Sequence, residues 1–485
     1  MIVKRASKIR EELEFEGAQS EPYSSMLIIG DLVFDSYILY KLKFDNCTFK
    51  GDIKFTGCII KEELSFIETS FEGNILFDNV IFEKEVSFNG SKFGSSSEAY
   101  VNTNPKLFKI NQSTFKDNVD FSSSFNMKVY FNSVIFEKYA NFHGAEFVLF
   151  ISCINCTFNH VDFMFSIFKD NVNISDSKFL GAASFEYAQF GKDIGLEYLY
   201  KASNTSYAIS HTNNFCFDRS IFFEDTSFFR AKFFGNIDFQ RIKFNDVCNF
   251  LGVRFVGNVS FQSAEFKSFA KFGAGSKIYG HADFSEAIFH EGAYFHDLEF
   301  GKKFKLARAK IENLMIRWNS ITDHLEDNWK FDEDIVRSVE VFDKSLIPLY
   351  LSLIKNFNNL GFNDDADECY LKLREKKRKN LKGRSLIMDC LDYALFGYGI
   401  KWGNPLCLCL FTIATFLFIF FIEDNNFRIN NLQALENATL NSVSSFLSSP
   451  YLDNHSIIIF SYAERFFGYI FMSCFLVTLA KKRLR

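Results

Sequence analysis

Phenylalanine recurs along this chain at a spacing that alternates between five and six residues, and this spacing constrains the fold more than any other feature. The series comprises Phe44, Phe49, Phe55, Phe66, Phe71, Phe77, Phe82 and Phe88, with Ile60 at its one gap. A paired step of eleven residues fits neither a heptad nor a 3.6-residue helical stripe. The chain is therefore predicted to be a repeat protein.

The same spacing of Phe recurs further along the chain, and smaller residues accompany it. A later series holds Phe239, Phe244, Phe250, Phe255, Phe261 and Phe266. Two positions before many of these Phe residues lies a smaller one, such as Cys47, Thr69 or Val259. Two inward positions, one large and one small, are predicted to alternate.

Turn-forming residues separate the steps. Between paired steps the chain often reads Phe-x-Gly/Asp-Asn/Asp-Val/Ile-x-Phe, as from Phe71 to Phe77 and from Phe255 to Phe261. Gly, Asp and Asn turn the backbone at low cost. A chain that turns this often while keeping Phe inside winds a polygonal coil, and stacking of the coils through backbone hydrogen bonds buries the rings.

From Phe34 to Ile316 this pattern resembles the pentapeptide-repeat family in its Phe-centred variant. The resemblance implies a mainly β fold, a right-handed quadrilateral β-helix, with the listed Phe residues as a structural core. We expect an N-terminal cap at 1–33 and the β-helix at 34–317, with loops at 94–107 and 191–214. Both are interpreted as surface loops; alternatively, the second, which holds Tyr198, Tyr207 and His211, binds a partner.

The charge of the repeat region argues against nucleic-acid mimicry. Some pentapeptide-repeat proteins imitate DNA and inhibit a topoisomerase, but Asp31 to Arg317 holds 31 Lys and Arg against 34 Asp and Glu. Duplex DNA carries about one charge per 1.7 Å of axis. A DNA-mimic role is therefore not favoured, and no nucleic-acid partner is expected.

After Trp318 the sequence changes character. Residues 318–400 are predicted to form a helical cap or linker with a basic cluster, and 401–485 a membrane domain. Residues 405–422 form eighteen residues without a charge, about 27 Å as a helix, and 457–480 form a second apolar stretch. Lys and Arg before the first span and after the second predict a multi-pass protein of the cell membrane with both termini cytoplasmic. The alternative is that both segments are buried core.

The two spans resemble the two-helix pore domain of potassium channels. Tyr398 and Gly399 before the first span, and Glu464 and Gly468 in the second, carry this resemblance. The region corresponding to the filter is degenerate, since Pro and Leu occupy the places of two glycines, and it comprises Ser448, Ser449, Pro450, Tyr451, Leu452 and Asp453. Residues 434–446 are predicted as a re-entrant pore helix or as an extracellular amphipathic turn.

No pattern for catalysis emerges. Cys153 and Cys156 have a C-x-x-C spacing, but no second pair or His at ligand spacing accompanies them, so they are interpreted as core residues rather than as a metal or redox site. The sequence predicts a non-enzymatic protein without cofactor or metal. The leading hypothesis is a membrane-anchored cytoplasmic scaffold for a protein partner; the alternative is an ion-channel-like subunit, tetrameric if it forms a pore.

Overall fold

The computed structural model describes residues 2–16, 22–94, 105–192, 214–325, 347–425, 432–447 and 455–483. The chain divides into two compact units, Met1–Phe362 and Asn363–Arg485. The first contains a parallel β-solenoid of about 13 turns and the second is helical. The predicted fold class, a β-solenoid followed by helices of which two could span a membrane, is confirmed.

Four short strands make each turn of the solenoid, and the strands of successive turns pair in parallel to form four faces. Within the described residues, the strands of the first face are Ile2–Arg5, Met26–Ile29, Thr48–Phe49, Ser70–Phe71, Lys92–Phe93, Ser124–Phe125, Glu146–Phe147, Ile167–Phe168, Gln189–Phe190, Lys232–Phe233, Arg254–Phe255, Lys277–Ile278 and Glu299–Phe300. Those of the second face are Leu32–Asp35, Ile53–Thr56, Ile75–Asp78, Leu107–Asn111, Lys128–Asn132, Ile151–Ile154, Val172–Asn173, Asn214–Cys216, Asn236–Asp238, Val259–Ser260, Ala282–Asp283 and Phe304–Lys305.

The third and fourth faces are joined where two longer strands, Ile135–Asn141 and Thr157–Asp162, run through both. The third face also contains Ile38–Leu39, Ile59–Ile60, Ile81–Phe82, Thr114–Phe115, Lys178–Phe179, Ile221–Phe222, Lys243–Phe244, Glu265–Phe266 and Ile288–Phe289. The fourth also contains Leu42–Lys43, Leu64–Ser65, Val86–Ser87, Val119–Asp120, Ala183–Ser184, Thr226–Ser227, Cys248–Asn249, Ala270–Lys271, Ala293–Tyr294 and Leu314–Met315.

The register places most inward Phe residues directly over a Phe of the adjacent turn, with Ile60, Cys153 and Ile278 among the exceptions. Ser70 pairs with Thr48 on one side and with Lys92 on the other, a spacing of 22 residues per turn. Two eleven-residue steps therefore make one turn. Phe239 shows the result, because its ring lies 5.1 Å from the ring of Phe217 and 4.8 Å from that of Phe261.

All fourteen Phe residues of the predicted core lie inside the solenoid, each at most 2% exposed: Phe44, Phe49, Phe55, Phe66, Phe71, Phe77, Phe82, Phe88, Phe239, Phe244, Phe250, Phe255, Phe261 and Phe266. The small inward positions add polar contacts to this column. The buried Ser276 hydroxyl donates to the Phe250 carbonyl oxygen at 2.8 Å and accepts from the Val253 N–H at 3.2 Å. Such hydroxyls fill the gap beside the rings and satisfy the backbone of adjacent turns.

The corners of the solenoid impose local backbone requirements. Left-handed residues recur at two diagonal corners, for example Asn46 before the first face and Asn79 after the second. At the corner between the first and second faces the turns approach closely instead. A Cβ added to Gly257 would lie 2.3 Å from the Gly235 carbonyl oxygen, so this site requires the absence of a side chain.

Both ends of the solenoid are covered. Helix α1 (Ala6–Glu16) buries Ala6, Ile9 and Leu13 next to the first turns, and strand Ile2–Arg5 extends the first face N-terminal to the predicted start at 34. At the other end, helix α2 (Trp318–Ile321) is followed by α3 (Ile347–Asn359). The aromatic rings of Trp318 and Tyr350 lie 5.9 Å apart there.

The second unit contains five α-helices among its described residues: α4 (Asn363–Asn380), α5 (Arg384–Phe396), α6 (Gly403–Asn425), α7 (Leu432–Leu447) and α8 (His455–Arg483). A short 3-10 turn, Gly397–Gly399, links α5 to α6. Gly403–Ile422 and Ile458–Ala480 are long and apolar enough to cross a membrane. The predicted loops at 94–107 and 191–214 lie mostly outside the described residues, which leave out 95–104 and 193–213.

Candidate functional site

One corner of the solenoid carries a row of exposed aromatic side chains, which we call the aromatic corner: His143, Phe165, Tyr187, Phe229 and Arg230. The rings of Phe165 and Tyr187 stack 5.0 Å apart, and those of His143 and Phe229 extend the row at 5.5 and 5.7 Å. The Arg230 guanidinium lies 5.1 Å from the Phe229 ring centre. Phe165 and Tyr187 are 50% and 39% exposed, so the row faces solvent.

The backbone of this corner is unfavourable for aromatic residues. Phe165 and Tyr187 have φ of 58° and 56°, in the left-handed region that costs L-residues about 1–2 kcal/mol. Gly144 and Gly252 occupy the same corner in other turns at positive φ, as expected for a left-handed position. Glu68 and Arg230 have a similar φ at this corner in other turns, so the solenoid imposes this conformation on whichever residue lies there.

A carboxylate organises the start of the aromatic corner. Asp162 Oδ2 accepts a hydrogen bond from the Tyr139 hydroxyl at 3.2 Å and lies 3.3 Å from His143 Nδ1. Burial and the negative charge of Asp162 raise the pKa of Tyr139 to about 12, so the phenol remains a hydrogen-bond donor at neutral pH. The corner therefore combines apolar edges with fixed polar groups, the composition of protein-binding surfaces.

A second candidate lies in the helical unit, where α7 packs against both apolar helices. Ser442 Oγ lies 2.9 Å from the Ile413 carbonyl oxygen of α6 and 2.5 Å from Glu464 Oε1 of α8. The hydroxyl oxygens of Ser445 and Ser461 lie 3.0 Å apart. All four of these side chains are at most 2% exposed. Glu464 lies within the apolar window Ile458–Ala480, and a buried ionisable side chain is costly unless it is hydrogen-bonded.

A glycine allows α7 to approach α8 closely. A Cβ added to Gly468 would lie 2.8 Å from the Phe446 carbonyl oxygen and 3.1 Å from its ring. The structure therefore brings together Glu464 and Gly468, which the sequence resemblance singled out, with the helix predicted at 434–446. The predicted filter region, Ser448, Ser449, Pro450, Tyr451, Leu452 and Asp453, lies outside the described residues.

The C-x-x-C pair lies in the solenoid core. Cys153 and Cys156 are at most 1% exposed, and Cys153 pairs with Phe131 in the ladder of the second face. Burial raises the pKa of Cys153 well above its ordinary value and that of Cys156 to about 12. Both thiols are thus held protonated, the state that neither binds metals nor attacks disulfides.

The aromatic corner was not predicted from the sequence, because the inward Phe residues dominate the pattern there. A detectable signal exists: Phe165 and Tyr187 are 22 residues apart, and each lies two positions after an inward Phe. The approach of Phe229 to Tyr187 carries no such signal, since 42 residues separate them along the chain.

Comparison with known proteins supports the repeat interpretation. A family model described as "Pentapeptide repeats (9 copies)" matches residues 44–92. No curated protein and no solved structure matches the chain. The matched segment covers two turns of the ladder in which Thr48, Ser70 and Lys92 pair. This chain therefore contains pentapeptide repeats.

Proposed function

We propose that the protein is a membrane-anchored scaffold whose solenoid docks a protein partner at the aromatic corner. The observation that carries this proposal is the exposed row from Phe165 to Arg230, which is ordered by ring stacking before any partner binds. Aromatic and Arg side chains dominate binding energy at protein interfaces, and ordering them in advance lowers the entropy cost of association. The matched family model describes repeats and names no catalytic family.

The membrane part of the proposal rests on α6 and α8. Only 22% of each apolar window is buried, whereas the core helix of a soluble protein is mostly covered. Phe411 and Ile459 are each 70% exposed. Lipid is the natural cover for such surfaces, and the Lys and Arg at the outer ends of both helices support cytoplasmic termini.

Site-specific crosslinking tests the docking surface. A photo-crosslinking amino acid at Tyr187 should capture a protein in native membranes, whereas one at Phe223, which is 41% exposed but off the aromatic corner, should not. The double change Phe165→Ser with Tyr187→Ser should abolish co-purification of that protein, and Phe223→Ser should leave it intact. Equal capture at both positions, or capture that survives the double change, contradicts the proposal.

A second candidate function is an ion-channel-like subunit, favoured by one observation. Helix α7 is held between two apolar helices by Ser442, Glu464 and the close approach at Gly468, the arrangement that a re-entrant pore helix requires. A pore of this type would need four copies. Chemical crosslinking in membranes that ends at a tetramer, with ion flux that Gly468→Val eliminates, would establish this function; a monomer or dimer without flux leaves the scaffold.

A further inference from the structure

Helix α5 turns Asp389 inward and its large apolar residues outward, the reverse of an ordinary soluble helix. On its inner side, Asp389 is 8% exposed. It accepts hydrogen bonds from Arg374 at 2.7 Å, from Arg378 at 2.8 Å and from the Tyr398 hydroxyl at 2.6 Å. These bonds join α4, α5 and the turn before α6, and they fix the rotation of α5 about its axis.

The outer side of α5 carries Ile387, Met388 and Leu391, which are 61%, 68% and 47% exposed. Their spacing of one, three and four residues places them on one helical face. The exposed Lys382 and Arg384 lie at the N-terminal end of the same helix. An apolar face bordered by cations is typical of helices that lie in a membrane surface.

The position of α5 beside the two apolar helices supports lipid as the cover of this face. Helix α5 connects through Gly397–Gly399 to the start of α6. Phe396 at its end lines an apolar groove of about 500 Å³ together with Cys474 and Val477 of α8. The N-terminal end of one apolar window and the C-terminal end of the other therefore lie beside α5.

Residues typical of a membrane boundary lie at these same ends of α6 and α8. The ring of Trp402, 39% exposed, lies 6.3 Å from that of Phe475. Lys401 and Lys482 are exposed and line one cavity together with Trp402. Trp and Lys are enriched where spans leave the hydrocarbon layer. The apolar face of α5 therefore continues an apolar surface already assigned to lipid.

We propose that α5 lies along the bilayer surface, with Ile387, Met388 and Leu391 inserted at the boundary between headgroups and acyl chains. This inference rests on the proposed membrane anchoring and adds a third contact with the bilayer, parallel to its plane. Lys382 and Arg384 then lie among the headgroups, where anionic lipid attracts them. The buried contacts of Asp389 keep the helix in this orientation.

Accessibility of nitroxide labels tests the proposal on the full-length chain in lipid nanodiscs. Cys216, Cys390 and Cys407 are replaced by Ser, and single labels are placed through Met388→Cys, Leu391→Cys and Phe411→Cys. A fourth chain keeps native Cys390, an exposed residue on another side of α5, as the matched control. Collision with oxygen, which concentrates in lipid, is compared with collision with a water-soluble nickel chelate.

We expect the ratio of oxygen to nickel collisions at positions 388 and 391 to be severalfold above that at Cys390 and to approach that at 411. High nickel access at 388 and 391 would show water on this face and overturn the proposal. Low access to both reagents would show that a protein or a second copy covers it, which also overturns it. Position 411 separates the proposal about α5 from the proposed membrane anchoring on which it rests. Nickel access at position 411 would refute the membrane span of α6 itself.

Discussion

At the scale of the residue, this protein is stabilised by repeated burial of one side chain. Many inward Phe residues contact the ring above, the ring below and a neighbour at an angle, as Phe250 does with Phe228, Phe272 and Phe261. Full burial of such a side chain contributes about 1.5–3 kcal/mol, and each aromatic pair about 0.5–1.5 kcal/mol more. The same rings at exposed corner positions contribute little to folding and are available for binding.

A cavity in the middle of the aromatic column should be costly. We expect Phe239→Ala to lower the free energy of unfolding by about 3–5 kcal/mol, because the rings on either side cannot close the gap. Phe223→Ala, at an exposed position, should change it by less than about 0.5 kcal/mol. Denaturant titration followed by circular dichroism measures both. An unchanged transition for Phe239→Ala would refute its place in the core.

A methyl group at the close corner should also destabilise the solenoid. Gly257→Ala places a Cβ 2.3 Å from the Gly235 carbonyl oxygen, so the two turns must separate. Gly144→Ala meets no atom within 4 Å and bears only the cost of its positive φ, about 1–2 kcal/mol. Thermal unfolding should therefore show the larger loss for Gly257→Ala, and the reverse order would contradict the close approach.

At the scale of the element, the ends of the ladder and the contacts of α7 require particular side chains. The last strand of the fourth face among the described residues, Leu314–Met315, pairs with Ala293–Tyr294 on one edge and offers its other edge to the Asn356 side chain. The Leu314 N–H donates to Asn356 Oδ1 at 2.9 Å, and Asn356 Nδ2 donates to the Leu314 carbonyl oxygen at 2.8 Å. Helix α3 thereby closes an edge that could otherwise pair with another chain.

Removing the side-chain amide of Asn356 should destabilise the solenoid, because it leaves the edge of the last strand without hydrogen-bond partners. Asn356→Leu leaves two buried backbone groups unpaired at about 1–3 kcal/mol each, so we expect a loss of at least about 2 kcal/mol. Asn358→Leu, at an exposed position of the same helix, is the matched control. Denaturation midpoints measure the difference. Static light scattering should also show self-association of Asn356→Leu alone, and a monodisperse variant would contradict the role as a cap.

The contact between α7 and α8 depends on the Ser442 hydroxyl. It has one proton and lies within hydrogen-bond distance of two oxygens, the Ile413 carbonyl oxygen and Glu464 Oε1. Glu464→Gln can donate to Ser442 and should retain the thermal stability of the detergent-solubilised protein. Glu464→Ala should lower it, by about 1–3 kcal/mol for the lost partner. Equal stability of the two variants would show that the bond is unimportant.

At the scale of the whole molecule, two units differ in what surrounds their apolar residues. The solenoid encloses its Phe residues, whereas Phe411 and Phe418 of α6 remain 70% and 63% exposed. The first unit therefore contains its own core, whereas the second exposes apolar side chains that a bilayer would cover. This difference is the physical basis of the proposed membrane anchoring.

The proposed orientation can be tested in intact cells. With Cys216, Cys390 and Cys407 replaced by Ser, Glu436→Cys in α7 should react with a membrane-impermeant maleimide. The reason is that the segment between α6 and α8, which contains α7, is proposed to lie outside the cell. A chain that keeps only Cys390 of these three should react after lysis alone. The opposite pattern would reverse the orientation, and equal labelling of both would contradict two spans.

The solenoid and the two apolar helices could both be predicted from local sequence patterns. Both depend on regular local signals, since a Phe and a small residue at each step dictate which side chains face inward, and a long apolar run dictates a helix that lipid can cover. The positions of Phe239 and Cys153 in the core of the solenoid follow from the five- and six-residue spacing alone.

Contacts between distant residues depend on tertiary packing. Tyr187 contacts Phe229 and Leu314 binds Asn356, in each case across 42 residues, a separation that the five- and six-residue spacing of Phe does not specify. The inward turn of Asp389 likewise depends on Arg374 and Arg378 of another helix. Such contacts arise from packing of separate elements, which no local periodicity encodes.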